Sequence, residues 1–174
     1  SYKRPREAYH GGIDVPAPFG TPIIAAAAGT VVAVSASPDS FRGREIILRH
    51  TPDDTSIPLW IYTQYAHCDA APKFKIGERV KMGQILGPTG NSGRRPRRAQ
   101  RRGRDRQRRP ASHFAVWFSE SSNYALHRNN FIPVRARWMD PNALYRKKPP
   151  FGSAALKALP ESEKRPRHFY FFSH

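Results

Sequence analysis

Glycine stands at positions 77, 83, 87, 90 and 93, with isolated apolar residues in between. That spacing marks tight turns joining very short strands. Upstream, "GTPIIAAAAGTVVAVSASPDSFRGREIILRH" holds apolar, β-branched runs at 23–24, 31–34 and 46–48, separated by Gly and Ser/Pro/Asp clusters. This too is a strand-and-turn pattern. The "AAAAG" stretch has helical propensity but is too short to sustain a helix between strands. "LWIYTQYAH" and "SHFAVWF" add two alternating segments. The prediction is a mostly β, compact antiparallel sheet domain with few or no helices.

At 174 residues the chain suits one domain with tails. Residues 94–109, "RRPRRAQRRGRDRQRR", interrupt the strand pattern with ten arginines against one aspartate. Their mutual repulsion and lack of apolar residues predict a solvated loop inserted in a domain spanning residues 1–145. Residues 146–174 read as a basic, Pro-rich, irregular C-terminal tail, weakly structured unless "HFYFFSH" docks on something. The formal charge of +17 calls for an anionic partner or environment. A single cysteine, Cys68, excludes an intrachain disulfide and a multi-cysteine zinc finger. No apolar run reaches the roughly 18 residues of a spanning helix, and the start does not resemble a signal peptide. The chain opens on Ser1 rather than Met, compatible with a removed export signal or membrane anchor.

Three histidines stand out by context. In "YHGGIDVP", His10 and Asp14 flank Gly11 and Gly12, whose backbone freedom lets both side chains turn to one point. Imidazole and carboxylate are both zinc ligand types, although an HxxxD pair alone does not define a site. In "YTQYAHC", period-2 alternation places Tyr65 and His67 on one face and Ala66 and Cys68 on the other. A half-buried structural histidine is the simpler reading of His67. In "RRPASHFAVWF", Ala111, His113, Ala115 and Trp117 share one face, while Phe114, Val116 and Phe118 on the other look like core. The small neighbours of His113 leave room for a ligand, but a lone strand histidine is more often structural.

Taken in order, "HGGID", "GTPIIAAAAGTVV", "YAH", "KIGERVKMGQILGPTGNSG" and "SHFAVWF" resemble the lysostaphin-type zinc metallopeptidases, a family of bacterial peptidoglycan endopeptidases. The resemblance runs from about Tyr9 to Phe118, and "MDPNALY" looks like the end of such a domain. It implies a sheet groove with one zinc held by His10, Asp14 and His113, and His67 as a catalytic histidine that steadies the water or the developing oxyanion. It also implies an exported protein of the periplasm or cell envelope. The partner would be peptidoglycan or another anionic envelope polymer, with Tyr65, Arg95 and Arg109 as substrate-binding candidates. Membrane association would require a removed N-terminal segment.

Two departures stand beside the match. The family motif usually reads Pro-His-x-His, whereas Pro110 is followed here by Ala111, Ser112 and His113, so the first histidine is missing. General acid–base groups contribute about 10² to 10⁴ in rate, and a catalytically impaired member that binds the wall or regulates another hydrolase is therefore the alternative reading. The second departure is the arginine-rich insertion itself, placed just before this strand. It could clamp anionic polymer or peptide carboxylates. Nucleic acid is disfavoured because the segment has no interleaved aromatics for base stacking.

Overall fold

Strands with apolar residues on both faces become the centre of a sheet, and "REIILRH", "WIYTQYAHC" and "ASHFAVWFS" are of this kind. The computed structural model describes residues 12–93, 109–127 and 130–164. Its strands are β1 (Ile13–Pro16), β2 (Pro22–Ile24), β3 (Gly29–Ser35), β4 (Arg44–His50), β5 (Trp60–Cys68), β6 (Arg79–Val80), β7 (Ile85–Pro88), β8 (Ala111–Ser119), β9 (Tyr124–His127), β10 (Asn130–Pro133) and β11 (Arg137–Met139). Among the described residues the main sheet has seven strands in the order β1-β8-β5-β4-β3-β6, with β11 also pairing β8. Every pairing in it is antiparallel. The pairs β2-β7 and β9-β10 stand apart from it. The mostly β antiparallel prediction holds.

Alternation divides the central strands between two apolar layers. Val31, Ile46, Leu48, Ile61, Tyr65, Phe114 and Val116 belong to one. Val32, Ile47, Tyr62, Ala115, Trp117 and Phe131 belong to the other. The Phe114/Val116 side is core as the pattern predicts, and Phe118 packs against it. The His113 side is apolar further along, where Trp117 meets Trp138 at 4.5 Å between ring centroids.

Four short helices are present among the described residues: α1 (Pro52–Thr55), α2 (Pro141–Arg146), α3 (Ser153–Lys157) and α4 (Glu161–Lys164). α2 starts where Asp140 accepts a hydrogen bond from the Asn142 amide and Pro141 fills the first turn. The weak structure expected from Arg146 onward is corrected as far as residue 164. Leu156 is buried in the first apolar layer and Phe151 and Leu159 pack against that layer. Burying one such leucine contributes about 2 kcal/mol. Arg146 is buried as well, its Nε donating to the Glu163 carbonyl at 2.8 Å. Charge and proline dominate the composition of this segment, but a few apolar residues suffice to dock it. "HFYFFSH" and the arginine-rich insertion up to Arg108 lie outside the described residues.

Candidate metal centre

The site is built where β1, β5 and β8 lie side by side. β1 pairs β8 with Asp14 opposite His113, and β8 pairs β5 with His113 opposite Ala66. Directly opposed residues in an antiparallel pair project to the same side. Asp14 and His113 therefore meet across the first ladder, with His113 Nδ1 2.9 Å from Asp14 Oδ1. The histidine side chain is 11% exposed and the aspartate 39%, so the pair sits at the edge of solvent.

Gly12 permits this approach sterically, since its φ lies outside the left-handed region. A Cβ there would stand 2.5 Å from the Phe114 carbonyl oxygen and 2.8 Å from His113 Nε2. The chain thus crosses close over the imidazole, leaving Nδ1 as the nitrogen turned to Asp14.

His67 reaches the same point by a different route. Alternation places it with Tyr65, but the structure corrects that reading: His67 has φ 65 and sits at a break in register where Arg44 faces Cys68 and Glu45 faces Ala66. One extra residue in β5 makes a β-bulge and shifts the alternation beyond it. Cys68 consequently joins Tyr65 in the core. The His67 ring instead stands 5.9 Å from that of His113, edge to face. Asp14, His67 and His113 each offer a ligand atom, all within 4.8 Å of one another. A carboxylate and two imidazoles so placed are the oxygen and nitrogen donor set that zinc takes, and they fit the ion that the motif implies. His10 lies outside the described residues.

The loop after β7 locks the bulge, a contribution that the glycine spacing of "GNSG" does not reveal. His67 Nδ1 is 2.7 Å from the Ser92 carbonyl, and a carbonyl only accepts, so Nδ1 carries the proton and Nε2 is the basic nitrogen of the neutral ring. Ser92 Oγ donates to the Cys68 carbonyl at 2.7 Å and accepts from the Arg44 amide at 3.0 Å. Gly43, at φ 68, faces this loop so closely that a Cβ would lie 2.4 Å from Ser92 backbone carbon.

The other candidates separate. Tyr65 is buried on the opposite face, its hydroxyl accepting from the Ala26 amide at 2.8 Å, and burial pushes its pKa up to about 12. Arg109 is exposed just before β8, and Arg95 lies outside the described residues. Ala111 pairs with Pro16, on the His113 side of β8, and contributes no titratable group there. His50 cannot replace it: it is buried between the Ala28 carbonyl and Thr63 Oγ1, at 2.5 and 2.7 Å. Cys68 is buried, and desolvation pushes its thiol up to about 11, which leaves it unreactive.

With this geometry in hand, comparison with known proteins is informative. The sequence pattern of Peptidase family M23 matches residues 8–123, well over half of the chain, and the chain belongs to that family. Peptidoglycan DD-endopeptidase ShyC of Vibrio cholerae serotype O1 is 41% identical over 85 residues, 49% of this chain and 17% of that protein. The chain thus spans less than a fifth of that relative's length. The solved structure of LytU has a TM-score of 0.54 at 23% identity, covering 84% of this chain and 79% of that one, and it shares the fold. A zinc-containing peptidase from Vibrio cholerae aligns with a TM-score of 0.45 at 28% identity over 62% of this chain and 26% of that one.

Proposed function

We propose that this domain is a zinc-dependent endopeptidase that hydrolyses peptide cross-links of bacterial peptidoglycan outside the cytoplasmic membrane. The single observation that carries this reading is the convergence of Asp14, His67 and His113 on one point of the sheet, in a chain of Peptidase family M23. The name of the Vibrio cholerae relative supports the substrate class.

In this proposal Asp14, His113 and, by its place in the family motif, His10 hold the zinc. The ion supplies Lewis acidity at the scissile carbonyl and a more acidic water at neutral pH. His67 is the catalytic residue. Its Nδ1 proton is fixed on the Ser92 carbonyl, so Nε2 can take a proton from attacking water. Once protonated, the ring stabilises negative charge on the former carbonyl oxygen and returns the proton to the leaving amine. The 2.9 Å approach of His113 Nδ1 to Asp14 Oδ1 brings the two would-be ligand atoms to one point, and zinc bound there would take the place of the proton between them. Arg109 and Arg95 are the proposed partners for carboxylates of the substrate, on the charge and hydrogen-bonding fork of their side chains.

The metallopeptidase domain proper is proposed to run to residue 145, with residues 146–164 packed on it. Among the described residues no helix is long and apolar enough to cross a membrane.

One observation favours a second reading. Ala111 occupies the position of the missing family histidine and offers no acid or base, which fits a member that binds the wall without efficient turnover. Incubation with purified peptidoglycan, measuring new amino groups with and without chelator, separates the two. The endopeptidase gives chelator-sensitive release, whereas wall binding without release supports the second reading.

A further inference from the structure

The register of the main sheet extends the metal-site row two strands further, onto β4 and β3. Asp14 faces His113, His113 faces Ala66, Ala66 faces Glu45, and Glu45 faces Ser35. These five side chains line up across the strands on one face. Strands are about 4.8 Å apart, so Glu45 lies two steps, roughly 10 Å, from His113. Ala66, between them, is the small residue of the row and is itself buried.

Glu45 is an unusual residue for this position. It is 7% exposed, and charged residues are seldom so buried without an ion pair. Among the described residues it forms none. Its Oε2 accepts from Gln64 Nε2, and its other oxygen accepts no hydrogen bond among them. The partner amide adds a second deficit, since Gln64 Oε1 is buried without a hydrogen-bond partner. Burial raises the Glu45 pKa, while the charge of Arg42 and the Gln64 amide oppose that rise. The carboxylate also lines a cavity of about 440 Å³ bordered by Ser35, Ile47, Ile76, Leu126 and Phe131.

A carboxyl group with an unfilled oxygen on the wall of a cavity, once ionised, is complementary to a cation that carries several N–H donors. We infer that Glu45 is a specificity residue that receives an ammonium group of the peptide, about 10 Å from the metal centre. An extended peptide advances about 3.3 Å per residue, so the group recognised lies about three residues from the bond cut. The apolar wall formed by Ile47 and Phe131 holds the methylene or backbone portion beside it. The inference rests on the peptidoglycan-peptide reading above. It adds that free amino groups, and not only carboxylates, select the substrate of this strongly basic chain.

The test uses the full chain and cross-linked peptides released from peptidoglycan by an amidase, with amino groups either free or N-acetylated. Binding is measured by calorimetry, independently of cleavage. The expected result is tighter binding of the free-amine peptide by about 10- to 100-fold, as for a hydrogen bond to a charged group. That preference should vanish in Glu45→Gln, which keeps a side chain able to pair with Gln64. The variant should melt at an equal or higher temperature, because a buried carboxylate has been neutralised, so loss of preference cannot be ascribed to misfolding. Equal binding of both peptides by the unaltered chain, no binding of either, or a preference that survives in Glu45→Gln overturns the inference. Preference without hydrolysis leaves it standing while contradicting the endopeptidase reading.

Discussion

His113 and Asp14 are 99 positions apart, yet the antiparallel pairing of β1 with β8 brings Nδ1 and Oδ1 to 2.9 Å. Removing either side chain takes away a donor from the cluster. His113→Ala and Asp14→Ala are each predicted to lower zinc affinity at least 100-fold, measured by competition with a chromogenic chelator. Circular dichroism should show the sheet intact, because neither side chain belongs to the apolar layers.

His67 is assigned to proton transfer, with zinc held by the other ligands. His67→Ala should therefore retain zinc while losing about 10² to 10⁴ in hydrolytic rate. Loss of zinc in a folded His67→Ala chain would make this residue a ligand instead, which the 4.8 Å spread of the cluster also allows.

Gly43 tests the support of the bulge. Gly43→Ala would place a methyl group at φ 68 and 2.4 Å from Ser92. Strain and overpacking together should destabilise the protein by about 2–4 kcal/mol in urea unfolding. Ser92→Ala deletes two hydrogen bonds of about 1 kcal/mol each. It should reduce turnover beyond its stability loss, because the carbonyl that fixes the His67 tautomer is then less firmly held.

Ala111→His restores the family pattern on the His113 face. Hydrolysis should rise by about 10² if the missing base limits the rate. Unchanged release in a folded variant would mean that His67 already performs the transfer.

Acid should destabilise the domain partly through His50. Burial, the largest influence, lowers its pKa from the ordinary 6.5, although the Ala28 carbonyl opposes the shift. The unfolded chain then binds a proton that the folded chain resists, so stability present above pH 6.5 is lost as pH falls toward the lowered folded value. Melting temperature followed from pH 7 to 5 in chelator-treated protein should fall more steeply for the unaltered chain than for His50→Gln.

What could be read from the sequence follows from what alternation encodes. The sheet, the core side of β8, and the meeting of Asp14 with His113 were legible because they depend on local pattern and ordered motifs. The side of His67 was not, since one residue at φ 65 reverses the alternation without any mark in "YTQYAHC". Ser92 and Glu45 were equally hidden. Their placement comes from loop contact and inter-strand register, which no single segment carries. The docking of Leu156 was masked by the Lys, Arg and Pro around it, although one buried leucine can anchor a short helix.

The most direct test of the central claim is zinc content by elemental analysis of the purified chain, beside His113→Ala. The account predicts about one zinc per folded chain, as for a single catalytic site, and a large loss in the variant. A folded chain that takes up no zinc when the metal is supplied, or a variant that keeps full occupancy, would contradict it.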